Sequence, residues 1–334
     1  MHIRKILGLL TILLTSLFSV QTVGAETQPI TVGALRFTSH APTFVALERG
    51  YFKDEGLDVH LKFFQAAQPM AVAIAAKDVD YGITAITGGL ISLAQKGAVK
   101  VIGSALTEAP GIDGSLIIVS NKAYDAGATA PAKLQGKTWA LTQSGSSFHY
   151  MGSKVAEKEH LTLKYKPLQK VGIIIGSIKS GQIDAWAIVP HIAKALDKAG
   201  AAHIIGKISD YIPDYQVTVL FTSTENADRQ RQRTEAFLRA FAKGAADYNA
   251  ALVDKTAGDE AAEAMVKLIH KYVYADKPYE KAARSIQNGA MRISADNALN
   301  IDSVKAQLDW FKAEKLIDDT ITLDTLVDQS YLSH

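Results

Sequence analysis

The chain of 334 residues contains no cysteine. That excludes a disulfide framework and any thiol nucleophile, and it removes the residue on which a bacterial lipoprotein carries its anchor. A chain of this length can be held by its hydrophobic core alone. Beyond residue 25 there is no run approaching the ~20 apolar residues that span a bilayer. Charge of one sign is also missing. Lys+Arg number 36 against 34 Asp+Glu, and Arg4 and Lys5 fall in the first 25 residues, which hold no acid. The remaining 309 residues (334 less 25) therefore balance at 34 against 34. No global basic field exists to hold nucleic acid or an anionic membrane. Internal repeats and low-complexity tracts are absent as well.

Motifs for chemistry are equally scarce. Gln135–Thr138, "QGKT", has the ending of a phosphate-binding loop, but the required glycine five residues before Gly136 is Pro131, and the segment leads into a strand pattern. No G-x-S-x-G elbow surrounds Ser146, and no H-E-x-x-H occurs. Glu157, Glu159 and His160 share one helical pattern and read as a solvated face. The sequence predicts no catalytic residue, no metal site and no cofactor.

What is present begins with "MHIRKILGLLTILLTSLFSVQTVGA": two basic residues, an apolar stretch diluted by Thr and Ser, and small residues to Ala25. This is the pattern of a cleaved secretory signal over residues 1–25, so export to a Gram-negative periplasm is expected. From Ile30 the pattern alternates: short apolar strands ("ITVGAL", "DVHLKFF", "VDYGITA", "VKVIGSAL", "SLIIVS", "KTWALT", "IDAWAIV") and helical segments such as "PTFVALERGYFKDEGL" and "PHIAKALDKAG". Such alternation predicts an α/β fold with mainly parallel sheets covered on both faces. After "YIPDYQVTVLFTS" the pattern is nearly all helical from Asn226 to Lys315. Two α/β units with a helical tail make two lobes.

Three strand-to-helix junctions are rich in small polar groups: Leu35–Pro42, Thr84–Gly89 and Thr142–Phe148. Ligands of open α/β sheets bind beyond strand carboxyl ends, where free N–H groups and the positive helix end favour an anion. Thr38, Ser39, Thr87, Ser144, Ser146 and Ser147 offer hydroxyls, and Gly88, Gly89 and Gly145 allow close backbone approach. The competing reading is that these hydroxyls are ordinary helix caps. Phe37, His40, Phe148, His149 and Trp186, at or near strand ends, would suit stacking on an apolar body. Arg36 is a candidate partner for an anionic head, and His191 a donor if it titrates near neutrality.

Several segments resemble the periplasmic substrate-binding proteins of ABC importers, in the branch that binds nitrate, taurine, alkanesulfonates and thiamine precursors. "APTFVALERGYFKDEGLDV" (Ala41–Val59), "AAKDVDYGITA" (Ala75–Ala85), "LQGKTWALTQSGSS", "IKSGQIDAWAIVP" (Ile178–Pro190) and the ending "LDWFKAEKLIDDTITLDTLVDQSYL" carry the resemblance. It implies a two-lobed type II binding-protein fold. Lobe 1 would comprise residues 26–118 and 219–334, and lobe 2 residues 119–218, with crossings near Leu116–Ser120 and Gln216–Phe221. A monomer would capture a small organic anion, a sulfonate or carboxylate before nitrate, and deliver it to a membrane permease driven by an ATPase. The segment before Pro190 departs from relatives that carry an aromatic or acidic residue there. Ile188-Val189 makes an amine-bearing ligand less suited, leaving pyrimidine or thiamine-precursor binding or synthesis as the alternative.

Overall fold

The computed structural model describes residues 27–333. The expected signal segment, residues 1–25, lies outside them. Ten strands form two sheets: β1 (Gln28–Ala34), β2 (Leu57–Phe63), β3 (Tyr81–Ala85), β4 (Val99–Ser104), β5 (Leu116–Val119), β6 (Thr138–Leu141), β7 (Lys164–Pro167), β8 (Ala185–Ile188), β9 (His203–Lys207) and β10 (Thr218–Ser223). The first sheet has the order β2-β1-β3-β10-β4 and the second β7-β6-β8-β5-β9. Strands β3, β5, β8 and β10 are buried along their whole length, as their continuous apolar runs require, whereas β2 and β7 form edges with exposed positions.

Each sheet is mixed rather than parallel throughout. β1 pairs in parallel with β2 and β3, but β10 runs antiparallel to β3 and β4. β6 pairs in parallel with β7 and β8, but β5 runs antiparallel to β8 and β9. The reversed strand is in each case the one that arrives from the other lobe. The chain leaves a lobe at a strand's carboxyl end, on the side facing its partner. The next strand must start there and run away. All the forward strands therefore end at the cleft between the lobes, and their following helices begin there.

The two crossings are residues 105–115 and 208–217, between β4 and β5 and between β9 and β10. They run side by side, with Val217 N donating to Leu106 O and Glu108 N to Tyr215 O, both at 2.9 Å, and a bridge between Thr107 and Gln216. The first crossing thus precedes the expected segment at Leu116–Ser120, because that apolar run is needed as a central strand of the second sheet. The expected division at 118/119 falls inside β5. The fully buried Gln216 amide gathers this region. Its Oε1 accepts from Ser104 Oγ (3.1 Å), Thr107 Oγ1 (3.3 Å) and Asn300 N (3.0 Å), and its Nε2 donates to Leu106 O (3.2 Å) and Thr218 O (2.8 Å).

The segment "PTFVALERGYFKDEGL" is two helices, Ala41–Glu48 and Tyr51–Asp54, broken at Gly50 in a left-handed conformation (φ +77°). The first packs along the long helix Arg231–Tyr248, and its Phe44 reaches Phe63 of β2 (centroids 6.0 Å apart). Phe237 of that helix stacks on Tyr81 (centroids 4.3 Å apart), and Phe52 stacks on Phe237 (5.7 Å). The helices approach so closely that a Cβ at Gly244 would lie 2.3 Å from Pro42 O. Backbone cannot yield as a side-chain tip can. Gly244→Ala is expected to destabilise the protein by about 1–3 kcal/mol, read from the urea midpoint; an unchanged midpoint would contradict this packing.

Candidate functional site

The carboxyl ends of the strands meet in a cavity of about 60 Å³ between the lobes. Phe37, Ser39, His40, Thr84 and Thr87 line it from the first lobe, and Thr142, Ser146, Ser147 and Phe148 from the second. The crossing segments close its base with Leu106, Ser115 and Val217. Among the described residues no Lys, Arg, Asp or Glu lines it.

Two helix starts differ in how they use their hydroxyls. Thr87 caps helix Gly88–Gln95 by accepting from Leu90 N (3.1 Å), so here the ordinary capping role holds, and its own O–H remains to be donated. Ser146 stands at the cap of helix Ser147–Lys158 but makes no capping bond. Its Oγ is buried without a partner among the described residues. The N–H groups of Ser147 and Phe148, and of Ser39 in the opposing lobe, likewise have no partner among the described residues. An unmatched buried hydroxyl costs about 1–3 kcal/mol. It converges with free N–H groups on one cavity, an arrangement suited to an electron-rich group.

Two buried histidines flank this cavity. His40 Nδ1 accepts from Leu35 N (3.4 Å), which puts the proton of the neutral ring on Nε2. His191 lies against Thr38, with its Nδ1 3.0 Å from Thr38 Oγ1. The Thr38 hydroxyl donates to Gly289 O (2.9 Å), so His191 Nδ1 is the donor in the first pair. Burial pushes His40 down to about 3. Burial, then the proximity of His40 and Lys277, does the same to His191. The expectation that His191 titrates near neutrality therefore fails: it is uncharged, and it faces a neighbouring compartment rather than the cavity.

Other expected residues also lie elsewhere. Arg36 stands outside the cavity, its Nη1 donating to Tyr272 O (2.9 Å) and its guanidinium 3.8 Å above the Phe63 ring. Trp186 is fully buried beneath the site and meets Phe148 edge to face at 5.3 Å, supporting that wall without lining it. Ser144 is exposed. Gly88 and Gly145 contact each other: Gly88 N donates to Gly145 O (2.9 Å), a direct bond between the lobes. Gly145 can make that contact because it adopts φ +71°. Thr38 serves the inter-lobe contact to His191 instead of the cavity. Further bonds hold the lobes together: Trp310 Nε1 to Ser153 Oγ and Lys194 Nζ to Asn288 O, both 2.9 Å. The cleft is closed.

Several lining residues had no polar signal to single them out. Ala66 and Ala67 beyond β2, Val171 after β7, and Ile188 and Val189 at the end of β8 all line the cavity. They stand at strand carboxyl ends, and the position rule alone could have found them.

Two sheets with paired crossings and a closed inter-lobe cavity define the periplasmic-binding-protein fold. Solved structures with the same fold include the alkanesulfonate-binding protein SsuA from Xanthomonas axonopodis pv. citri bound to MOPS. It is 18% identical, with a TM-score of 0.70, over 92% of this chain and 99% of that one. The periplasmic aliphatic sulphonate binding protein SsuA from Escherichia coli is 17% identical, with a TM-score of 0.68, over 90% and 92%. The periplasmic nitrate-binding protein NrtA from Synechocystis PCC 6803 is 13% identical, with a TM-score of 0.70, over 92% and 87%. No curated protein matches the sequence significantly. The chain belongs to the NMT1/THI5-like family, whose model matches residues 37–251, well over half its length.

The neutral histidines give the fold a pH dependence. Unfolded, they take up protons below about pH 6.5. Folded, His40 and His191 stay neutral to about 3. Their contribution is complete above pH 6.5 and is lost on acidification, at about 1.4 kcal/mol per pH unit for each ring. His149, also lowered by burial, adds the same sign, while buried Glu108, raised by burial, opposes it. Urea midpoints are expected to fall between about pH 7 and pH 5, a window above that of the exposed carboxylates. The His40→Gln/His191→Gln protein should show a flatter profile; an equal slope would remove these rings as its cause.

Proposed function

We propose that this protein is the periplasmic solute-binding component of an ABC importer. It captures a small organic anion, a sulfonate or carboxylate, in the inter-lobe cleft and hands it to a membrane permease driven by a separate ATPase. The observation that carries this reading is the buried, unpartnered Ser146 Oγ at the mouth of a helix whose first N–H groups are also free. Helix ends and hydroxyls stabilise an anion without bringing a side-chain cation into the enclosed space. Phe37, Phe148, Met151 and Val171 supply an apolar wall for the adjoining carbon atoms. The relatives named above bind alkanesulfonates and nitrate, which agrees with an oxyanion head. Residues 1–25 supply the export signal.

The lining carries no carboxylate to pair with an amine, which weighs against a pyrimidine ligand. It also carries no acid–base pair, and the chain has no cysteine, so binding rather than synthesis is the reading.

Purified protein lacking the signal segment should be tested by thermal shift against taurine, longer alkanesulfonates, aromatic and aliphatic carboxylates, nitrate and aminopyrimidines. A true ligand at 100 times its Kd stabilises by about 2.7 kcal/mol. Ser146→Ala is expected to weaken binding of that ligand about tenfold, equivalent to ~1.4 kcal/mol. A response confined to aminopyrimidines would overturn the anion assignment.

A further inference from the structure

The cavity has a neighbour of opposite electrostatic character. A compartment of about 550 Å³ adjoins it between the same two lobes, and Leu35, Phe37 and Val171 line both spaces. Those three apolar residues form the boundary, or neck, between the two spaces. Beyond it the walls carry Arg36, Lys179 and Lys277 against a single carboxylate, Asp276. Lys179 and Lys277 come from different lobes and are solvent-exposed. Lys277 Nζ stands 4.2 Å from the centre of the Tyr274 ring, and Arg36 is pinned by Tyr272 O and Phe63. Apolar surface from Phe64, Ile175 and Ile192 lies among these cations.

The inner cavity is also too small for a long ligand. At ~10–15 Å³ for each water-sized occupant, about 60 Å³ accommodates an oxyanion head and little of the chain behind it. Any larger ligand must extend beyond this cavity. We infer that the outer compartment is a second subsite, and that the protein takes elongated organic acids anionic at both ends. One end sits among the neutral hydroxyls and helix N-termini inside, the apolar middle passes Leu35, Phe37 and Val171, and the other end meets Arg36, Lys179 and Lys277. This rests on the reading of the inner cavity given above and extends it. The division of labour follows from solvation. Cations at the open compartment keep their water until an anion arrives, whereas inside they would have to be buried uncompensated.

Calorimetric titration of the protein without its signal segment, using linear alkanesulfonates and the matching α,ω-disulfonates from ethane to octane, tests the idea. At the chain length that spans the neck, the disulfonate is expected to bind about tenfold tighter than the monosulfonate. That advantage should shrink with added salt. It should vanish in Lys179→Gln/Lys277→Gln, with ethanesulfonate affinity retained. Ser146→Ala should instead weaken mono- and disulfonates alike. Disulfonates no better than monosulfonates at every length, or a double variant that weakens ethanesulfonate as much as the long disulfonates, would overturn the outer subsite while leaving the inner one standing. Failure of every mono- and disulfonate, and of the matching mono- and dicarboxylates, to bind would overturn both.

Discussion

A single buried amide, that of Gln216, organises the junction on which the two-lobed architecture depends. Set in the second crossing, it bonds to the first crossing, to the end of β4, to the start of β10 and to the backbone before helix Ile301–Ala313. A buried amide left unmatched would be costly, so these partners are held in one arrangement. Fixing the crossings also fixes strand direction. With β5 and β10 forced to start at the junction, every forward strand ends facing the opposite lobe. The cleft is therefore lined by strand ends and helix starts, the part of an α/β unit with unpaired N–H groups.

That placement would let an enclosed space favour the anion proposed above while holding no side-chain cation. Burying Lys or Arg in a cavity of this size would need a permanent counter-charge. Free N–H groups at Ser39, Ser147 and Phe148, with the Ser146 hydroxyl, provide partial positive charge already oriented. The two imidazoles fit the same scheme, since burial keeps both uncharged. Around the cavity closure is made by backbone and neutral groups, Gly88 to Gly145 and His191 through Thr38 to Gly289, while the Lys194 ammonium adds its bond to Asn288 O away from it. At Gly289 a Cβ would lie only 2.2 Å from that of His191, so the lobes meet at side-chain-free points. Charge is kept for the outer compartment, where water still reaches it.

Much of this was legible before folding. Alternation of short β-branched runs with helical segments determined two α/β units. The absence of cysteine and the balanced charge excluded whole classes of chemistry. Phe37, Ser39, His40, Thr87, Ser146, Ser147 and Phe148 could be marked from position and residue type, because local pattern dictates where a strand stops and a helix begins. Arg36, Trp186 and His191 satisfied the same criteria, and only tertiary packing separated them. Arg36 turns to Tyr272 and Phe63, 236 and 27 residues away in sequence; Trp186 drops beneath Phe148; and His191 is neutralised by burial against the other lobe. Whether a hydroxyl caps its helix or is left unpartnered was equally undetermined by composition: Thr87 and Ser146 occupy equivalent positions, and only one makes its capping bond. Local sequence determines the candidates because backbone periodicity and capping are short-range. Their roles were decided by contacts between residues far apart in the chain, which exist only once the lobes meet.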